Sequence, residues 1–218
     1  TKGIGSMTWL KDGERYSRLE NNKQTGGTDI VAYRAKDNSR EVIIPSSLLT
    51  DKSTGRPIPV RSVSWSADNE KVLIYNNTRR VWRYDTRGDY WVLNLKDGAL
   101  RQLGKGMPES SMMFAKFSPD GTRVAYVSNN NIYVEDIDSG KITQLTKDGS
   151  DTIVNGTFDW VYEEEFSCRD GFRWSPDGKH IAYWQSDTKG TGVFDTINNV
   201  DSIYAKVIHF PYPKAGTT

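Results

Sequence analysis

Three consecutive acids, Glu163, Glu164 and Glu165, follow Asp159-Trp160-Val161-Tyr162 and precede Phe166 in a chain that otherwise reads as strands. No other segment has residue types that point so directly to chemistry. Asp159 is a good N-cap, and acids in the first turns of a helix sit favourably against its positive end, so the spacing predicts one or two helical turns here. On such a helix Glu164 and Glu165 project about 100° apart, close enough for both carboxylates to reach one small cation. Neighbouring carboxylates repel, so a positive group should complete the site. For any charge run the bland alternative is a solvated cap.

Other reactive groups carry less. Cys168 is the single cysteine, which excludes an internal disulfide, and it reads as a small, partly buried hydrophobe. As a nucleophile it would need a base, and the two histidines, His180 and His209, both stand in strand-like contexts. Arg79, Arg80, Arg83 and Arg87 interleave with Trp82 and Tyr84, a mixture met on nucleic-acid surfaces. Alternating residues of a strand face opposite ways, so the simpler product is a strand with one apolar and one charged face. The sequons Asn76-Asn77-Thr78 and Asn155-Gly156-Thr157 are short patterns that arise by chance. There is no Gly-x-Ser-x-Gly elbow, no Walker loop and no Cys/His cluster, so no catalytic residue, metal or cofactor is expected in these 218 residues.

Composition sets the frame for those residues. The net charge of +1, from 29 basic and 28 acidic residues, advertises neither nucleic acid nor a membrane surface. With 36% hydrophobic and 26% charged residues the chain is of ordinary globular type. No apolar run approaches the ~20 residues of a membrane helix. Thr1 opens without the basic and apolar regions of a signal peptide, so any leader is expected to have been removed or to lie upstream.

An imperfect internal repeat supplies the elements. Its marks are Trp9-Leu10-Lys11-Asp12-Gly13, Trp65-Ser66-Ala67-Asp68-Asn69, Phe117-Ser118-Pro119-Asp120-Gly121 and Trp174-Ser175-Pro176-Asp177-Gly178. The leading aromatics recur at roughly 50 to 57 residues, the spacing of β-propeller blades. Each mark ends in a tight turn, with Pro at a preset φ, Asp able to cap and Gly free to take positive φ.

In the first repeat Asp29–Arg34 and Glu41–Ile44 flank a polar turn and read as two antiparallel strands. The stretch from Pro45 to Pro59 reads as a loop between blades. In the second, Lys71–Tyr75, Val81–Tyr84, Tyr90–Leu95 and Leu100–Leu103 read as four short strands. The third alternates with period two through Arg123–Val127, Asn131–Asp136 and Lys141–Thr146. The fourth runs from Lys179–Trp184 through Ser202–Phe210, where Pro211 and Pro213 end the strand. Blades are therefore expected near residues 1–50, 59–105, 108–150 and 170–218, with the acidic helix inserted ahead of the last.

The string Phe158–Phe166, with Trp174–Gly178 shortly after it, resembles the double-glutamate segment of the dipeptidyl peptidase IV family, serine exopeptidases of the prolyl oligopeptidase clan. The likeness continues through Arg79–Tyr84 with Tyr90–Leu95, through Asn131–Val134 and through Phe210–Gly216, and so covers most of the chain. It implies an all-β fold: a partial β-propeller, about four blades of an eight-bladed ring, with a short helical insertion carrying the Glu-Glu motif. It also implies that the α/β-hydrolase domain, with its Ser-Asp-His triad, lies beyond residue 218, so the chain alone should be inactive. The parent would release N-terminal dipeptides after a penultimate Pro or Ala. Its propeller would gate access, and Glu164 and Glu165 would hold the substrate's α-amino group, with Glu163 the lesser ligand and Tyr162 in support.

One departure stands out. Where the family has an arginine in the preceding blade that steadies a glutamate and contacts substrate, this chain reads Lys105-Gly106-Met107-Pro108. Arg169 and Lys105 are the candidates for that role. The partners implied are a peptide with a free N-terminus, the chain's own hydrolase domain and a second copy in a homodimer. Nucleic acid and a spanning segment are not expected, and the implied compartment is periplasmic, secreted or membrane-anchored outside the cytoplasm. A competing reading, a propeller that only binds or scaffolds, explains the repeats but not the acidic string.

Overall fold

The structure, a computed structural model, describes residues 7–200 and 202–216. Antiparallel sheets fill most of it. The first joins β1 (Thr8–Trp9), β2 (Arg15–Asn21), β3 (Thr28–Arg34) and β4 (Arg40–Ile44) in chain order. Ile30, Val31 and Ala32 are buried in succession along β3, so that strand is covered on both faces. The polar stretch after Pro45 folds as a 3-10 turn at Ser46–Leu49 and a small pair, β5 (Thr50–Asp51) with β6 (Arg56–Pro57).

The second sheet contains β7 (Ser62–Trp65), β8 (Lys71–Val81), β9 (Tyr84–Asn94) and β10 (Leu100–Gln102), again neighbours in chain order. Here the sequence reading needs correction. Val81–Tyr84 is not a separate strand but the tip of one long hairpin, in which Val81 pairs with Tyr84 and Trp82 takes a φ of 53°. Positive φ is uncommon outside Gly and Asn, so nothing in Val81-Trp82-Arg83-Tyr84 advertised a reversal. The fourth strand of this sheet is Ser62–Trp65, ending on the aromatic that marks the repeat. Ile30, Ile44, Leu49, Val72, Ile74 and Leu93 form one buried cluster under these strands.

The third sheet, β11 (Met113–Phe117), β12 (Arg123–Ser128), β13 (Asn131–Asp136) and β14 (Ile142–Gln144), places strands where the sequence predicts them, but burial does not alternate: Val124 to Ser128 are buried in succession, so β12 is covered on both faces. Asn129 and Asn130 link β12 to β13 with φ of 48° and 58°, the positive pair that a two-residue hairpin turn requires.

The last repeat is built from pairs. These are β15 (Ile153–Asn155) with β18 (Gln185–Asp187), β16 (Phe172–Trp174) with β17 (Ile181–Tyr183), and β19 (Val193–Asn198) with β20 (Lys206–Pro211). Between β15 and β16 stands the α1 helix (Trp160–Phe166). Its insertion is closed at the neck by a Thr157–Asp170 bridge and by the Thr157 hydroxyl, which donates to the Arg169 carbonyl at 3.0 Å. The neck can be this narrow because Gly171 has no side chain: a Cβ there would stand 2.9 Å from the Gly156 carbonyl carbon.

The repeated turns share one hydrogen-bond pattern. The hydroxyls of Ser66, Ser118 and Ser175 donate to Asp68, Asp120 and Asp177 at 2.6, 2.5 and 2.6 Å. The same hydroxyls accept the amides of Lys71, Arg123 and His180. Asn69, Gly121 and Gly178 supply the positive φ. The Ser118 hydroxyl, and then the Thr122 amide, lower the Asp120 carboxyl to a pKa of about 2.

Contacts divide the chain into two compact units. One holds residues up to Tyr126 together with Val134–Thr143, the other Val127–Tyr133 and the residues from Gln144 onward.

Candidate amine-binding site

The acidic segment folds as its sequence predicts. Asp159 is extended, with φ −77° and ψ 179°, and its carboxylate accepts the Tyr162 amide at 3.0 Å. The helix ends at Ser167, whose left-handed backbone (φ 54°) lets the Cys168 amide reach back to the Tyr162 carbonyl at 3.0 Å. Both ends are thus capped within nine residues of chain, Asp159 to Ser167. A helix this short needs such caps and outside packing, because isolated helices below ~12–15 residues are marginal in water.

The three glutamates differ in their surroundings. Glu163 is buried, at 7% exposure, and its Oε1 lies 3.6 Å from Nε of Arg169, an ion-pair distance beyond hydrogen-bond range. Glu164 is half-buried and Glu165 exposed. The triplet therefore passes from the protein interior to solvent over consecutive residues, each turned about 100° from the last. Arg169 sits within the same insertion and faces Glu163, the acid that the family resemblance makes the lesser ligand. Lys105 is exposed in a turn of the other unit, where the Met107 amide donates to the Gly104 carbonyl at 2.8 Å.

Aromatic rings line two faces of α1. On one, Tyr162 lies 5.5 Å from Phe158 and 5.6 Å from Phe166, and Phe158 also meets Trp184 at 6.2 Å. Tyr162 and Phe166 remain 42% and 64% exposed. On the other, Trp160 packs against Phe210 and Tyr212 from the end of β20. Beside the neck lies a concavity of about 530 Å³ lined by Asp170, Gly171, Phe172, Arg173, Ala182, Tyr183 and Trp184.

Three polar or aromatic features escaped the sequence reading. Glu135 on β13 is fully buried, accepting from Nη1 of Arg101 at 2.9 Å and from the Gly104 amide at 2.8 Å, which fixes the base of the turn bearing Lys105. Little in the sequence signalled it, since Glu135 stands beside a second acid, Asp136, at the polar end of β13. His209 meets Asp195 across the β19–β20 ladder at 2.6 Å. Phe210 reaches back fifty positions in sequence to Trp160. Cys168, by contrast, is half-buried as expected. Both sequon asparagines, Asn76 and Asn155, are buried, at 7% and 0% exposure.

Known proteins give this architecture a context. The crystal structure of Porphyromonas gingivalis dipeptidyl peptidase 4 superposes with a TM-score of 0.79 at 26% identity, over 97% of this chain and 29% of that one. The fold is accordingly all-β, a partial β-propeller with one short helix. Dipeptidyl aminopeptidase B of Saccharomyces cerevisiae is 34% identical over 168 residues, 75% of this chain and 20% of the relative. A probable dipeptidyl-aminopeptidase B of Chaetomium globosum is 32% identical over 166 residues, 71% and 18% of the two chains. The chain spans about a fifth of the length of these curated relatives. Residues 66–218 match the family profile of the dipeptidyl peptidase IV (DPP IV) N-terminal region, and the chain belongs to that family.

Proposed function

We propose that this chain is the N-terminal propeller portion of a serine dipeptidyl peptidase, a hydrolase acting outside the cytoplasm that releases N-terminal dipeptides after a penultimate Pro or Ala. Its part in the reaction is to gate access and to bind the substrate's α-amino group through Glu164 and Glu165. The catalytic triad belongs to a partner α/β-hydrolase domain, and the parent works as a homodimer. The observation that supports this reading is the graded exposure of the triplet on a capped helix: Glu163 is buried and faces Arg169, Glu164 is half-buried with its Oε1 shielded from solvent, and Glu165 is exposed. Arg169 holds the helix through Glu163 and so takes the steadying part of the missing arginine's role.

The chemistry is that of a ruler. Two residues of extended peptide span at most about 7 Å, so an ammonium fixed at that distance from the nucleophile lets only the second peptide bond reach it. Two carboxylates recognise a primary ammonium, which an acylated N-terminus cannot supply. Selectivity for the chain end then follows from charge and distance alone.

The test is kinetic and uses the full-length parent. Glu164→Gln or Glu165→Gln each removes one charge-assisted contact worth about 1.5–3 kcal/mol, so kcat/KM should fall roughly 10- to 150-fold. Peptide α-amino groups titrate near 7.7–8.0, so wild-type kcat/KM should also fall as pH rises through that range. An N-acetylated Xaa-Pro substrate should be poor at every pH. Mutants that keep full preference for the free amine would reduce both glutamates to a solvated cap.

A further inference from the structure

Trp160 opens the helix, and its ring lies 4.6 Å from Phe210 and 5.5 Å from Tyr212. Phe194, directly opposite Phe210 in the β19–β20 register, completes the cluster at 5.7 Å from Phe210 and 5.6 Å from Tyr212. The Tyr212 amide donates to the Gly192 carbonyl at 2.8 Å, which closes the base of the hairpin under these rings. Within the hairpin burial is greatest at Phe210, while Phe194 opposite it is 49% exposed. Phe210 is 7% exposed, whereas Val193, Ile197 and Val207 are 64%, 68% and 56% exposed.

The position of those rings has a mechanical consequence. Trp160 and Glu164 stand four residues apart, one turn along the same face of α1, so displacing the Trp160 ring moves the backbone that carries Glu164. The opposite aromatic face is the more exposed of the two: Tyr162 stacks on Phe158, which meets Trp184, but Tyr162 and Phe166 are 42% and 64% exposed against 7% for Phe210. Arg169 meets the helix at Glu163, and the Trp160 contacts attach it again on the face that carries Glu164.

We propose that Phe210 and Tyr212 are positioning residues for amine recognition: clamped on Trp160, they set where the Glu164 carboxylate stands. The inference rests on the amine-binding reading of Glu164 and Glu165 and names what that site depends on. It makes the β19–β20 hairpin, distant from the acids in sequence, part of the apparatus that measures the substrate's N-terminus.

A double-mutant cycle in the full-length parent tests it. Phe210→Ala should lower kcat/KM for a Gly-Pro chromogenic dipeptide about 10-fold, chiefly through KM, since small misplacements of a binding group are costly. Trp160→Phe, which keeps a ring, should cost under about 3-fold. In a Glu164→Gln background Phe210→Ala should cost under about 3-fold as well, because the group it positions is already impaired. Tyr212→Leu, at the edge of the cluster, serves the same cycle where Phe210→Ala does not yield folded enzyme. Additive losses, or an equal loss on free and N-acetylated substrates, would show a merely structural role and overturn the inference while leaving the amine site intact. A silent Glu164→Gln would instead remove the amine site itself, and the positioning role with it.

Discussion

Ser66, Ser118 and Ser175 open the same turn in three repeats, yet the strands that follow meet different surroundings. After Ser66 the chain runs into Val72, Leu73 and Ile74, and after Ser118 into Val124, Ala125, Tyr126 and Val127, all at 2% exposure or less. After Ser175 it runs into Ile181, half-buried, then Tyr183 and Trp184 at 44% and 65% exposure. The hydrogen bonds of the turns are nearly superimposable, so turn formation is local and needs no core beneath it. Burial is not local. It depends on a facing layer, and among the described residues the last repeat has little of one. That same repeat holds the capped acidic helix, the concavity at its neck and the aromatic cluster around Trp160.

The largest effect that sharpens this contrast is in the core. Ile74→Ala should destabilise the chain by about 2–5 kcal/mol, the range for emptying a fully buried site. Tyr183→Ala should cost only about 0.5 kcal/mol in this 218-residue chain, because its ring is already partly solvated. In the full-length parent the Tyr183→Ala cost should rise toward the core value as a further segment covers that face. Denaturant unfolding of both variants in both contexts measures it. A Tyr183 cost that stays small in the parent would mean that this face is solvated by design.

The next effect concerns association. Val200, Ile203 and Tyr204 are 87%, 98% and 84% exposed, a concentration of apolar surface that water does not favour leaving bare. Light scattering should find the isolated chain self-associated, with Ile203→Ser increasing the monomer fraction. A dilute, cooperative monomer without that substitution would show that the exposed residues need no partner.

These contrasts also mark what the sequence could disclose. Ser-Pro-Asp-Gly spells out a turn because each residue has its own conformational reason, and the Asp159 cap is readable for the same cause. The third sheet was legible in its strand bounds because apolar runs are set off by turn residues at Pro119-Asp120-Gly121, Asn129-Asn130 and Asp138-Ser139-Gly140, although β12 is buried on both faces and does not alternate. The tip of the β8–β9 hairpin was not, since Trp82 takes a positive φ that its side chain does not favour. In the site, adjacency of Glu164 and Glu165 follows from helix geometry. The inward turn of Glu163 toward Arg169 does not, because it depends on how the neck at Thr157 and Asp170 folds back. Phe210 was the hardest to see, because its contact with Trp160 joins segments that local patterning treats separately.

The smallest effect tests whether the turns are as independent of the core as their geometry indicates. Asp120 titrates near 2 in the folded chain against 3.8 for an ordinary aspartate, held down first by the Ser118 hydroxyl and then by the Thr122 amide. A depressed folded pKa means that the unfolded chain binds the proton more readily. The contribution to stability is therefore full above about pH 4 and drains away as pH falls from there toward 2. Asp177 is lowered by the same pair of contacts, from the Ser175 hydroxyl and the Lys179 amide, in the repeat with little core. Ser118→Ala should raise the Asp120 midpoint toward 3.8 and leave Asp177 where it was. Carboxyl-carbon NMR titration of the chain in the Ile203→Ser background reads both acids at once. Should Asp177 follow Asp120, the turns are coupled through the blades, and the separation of local turn chemistry from burial fails.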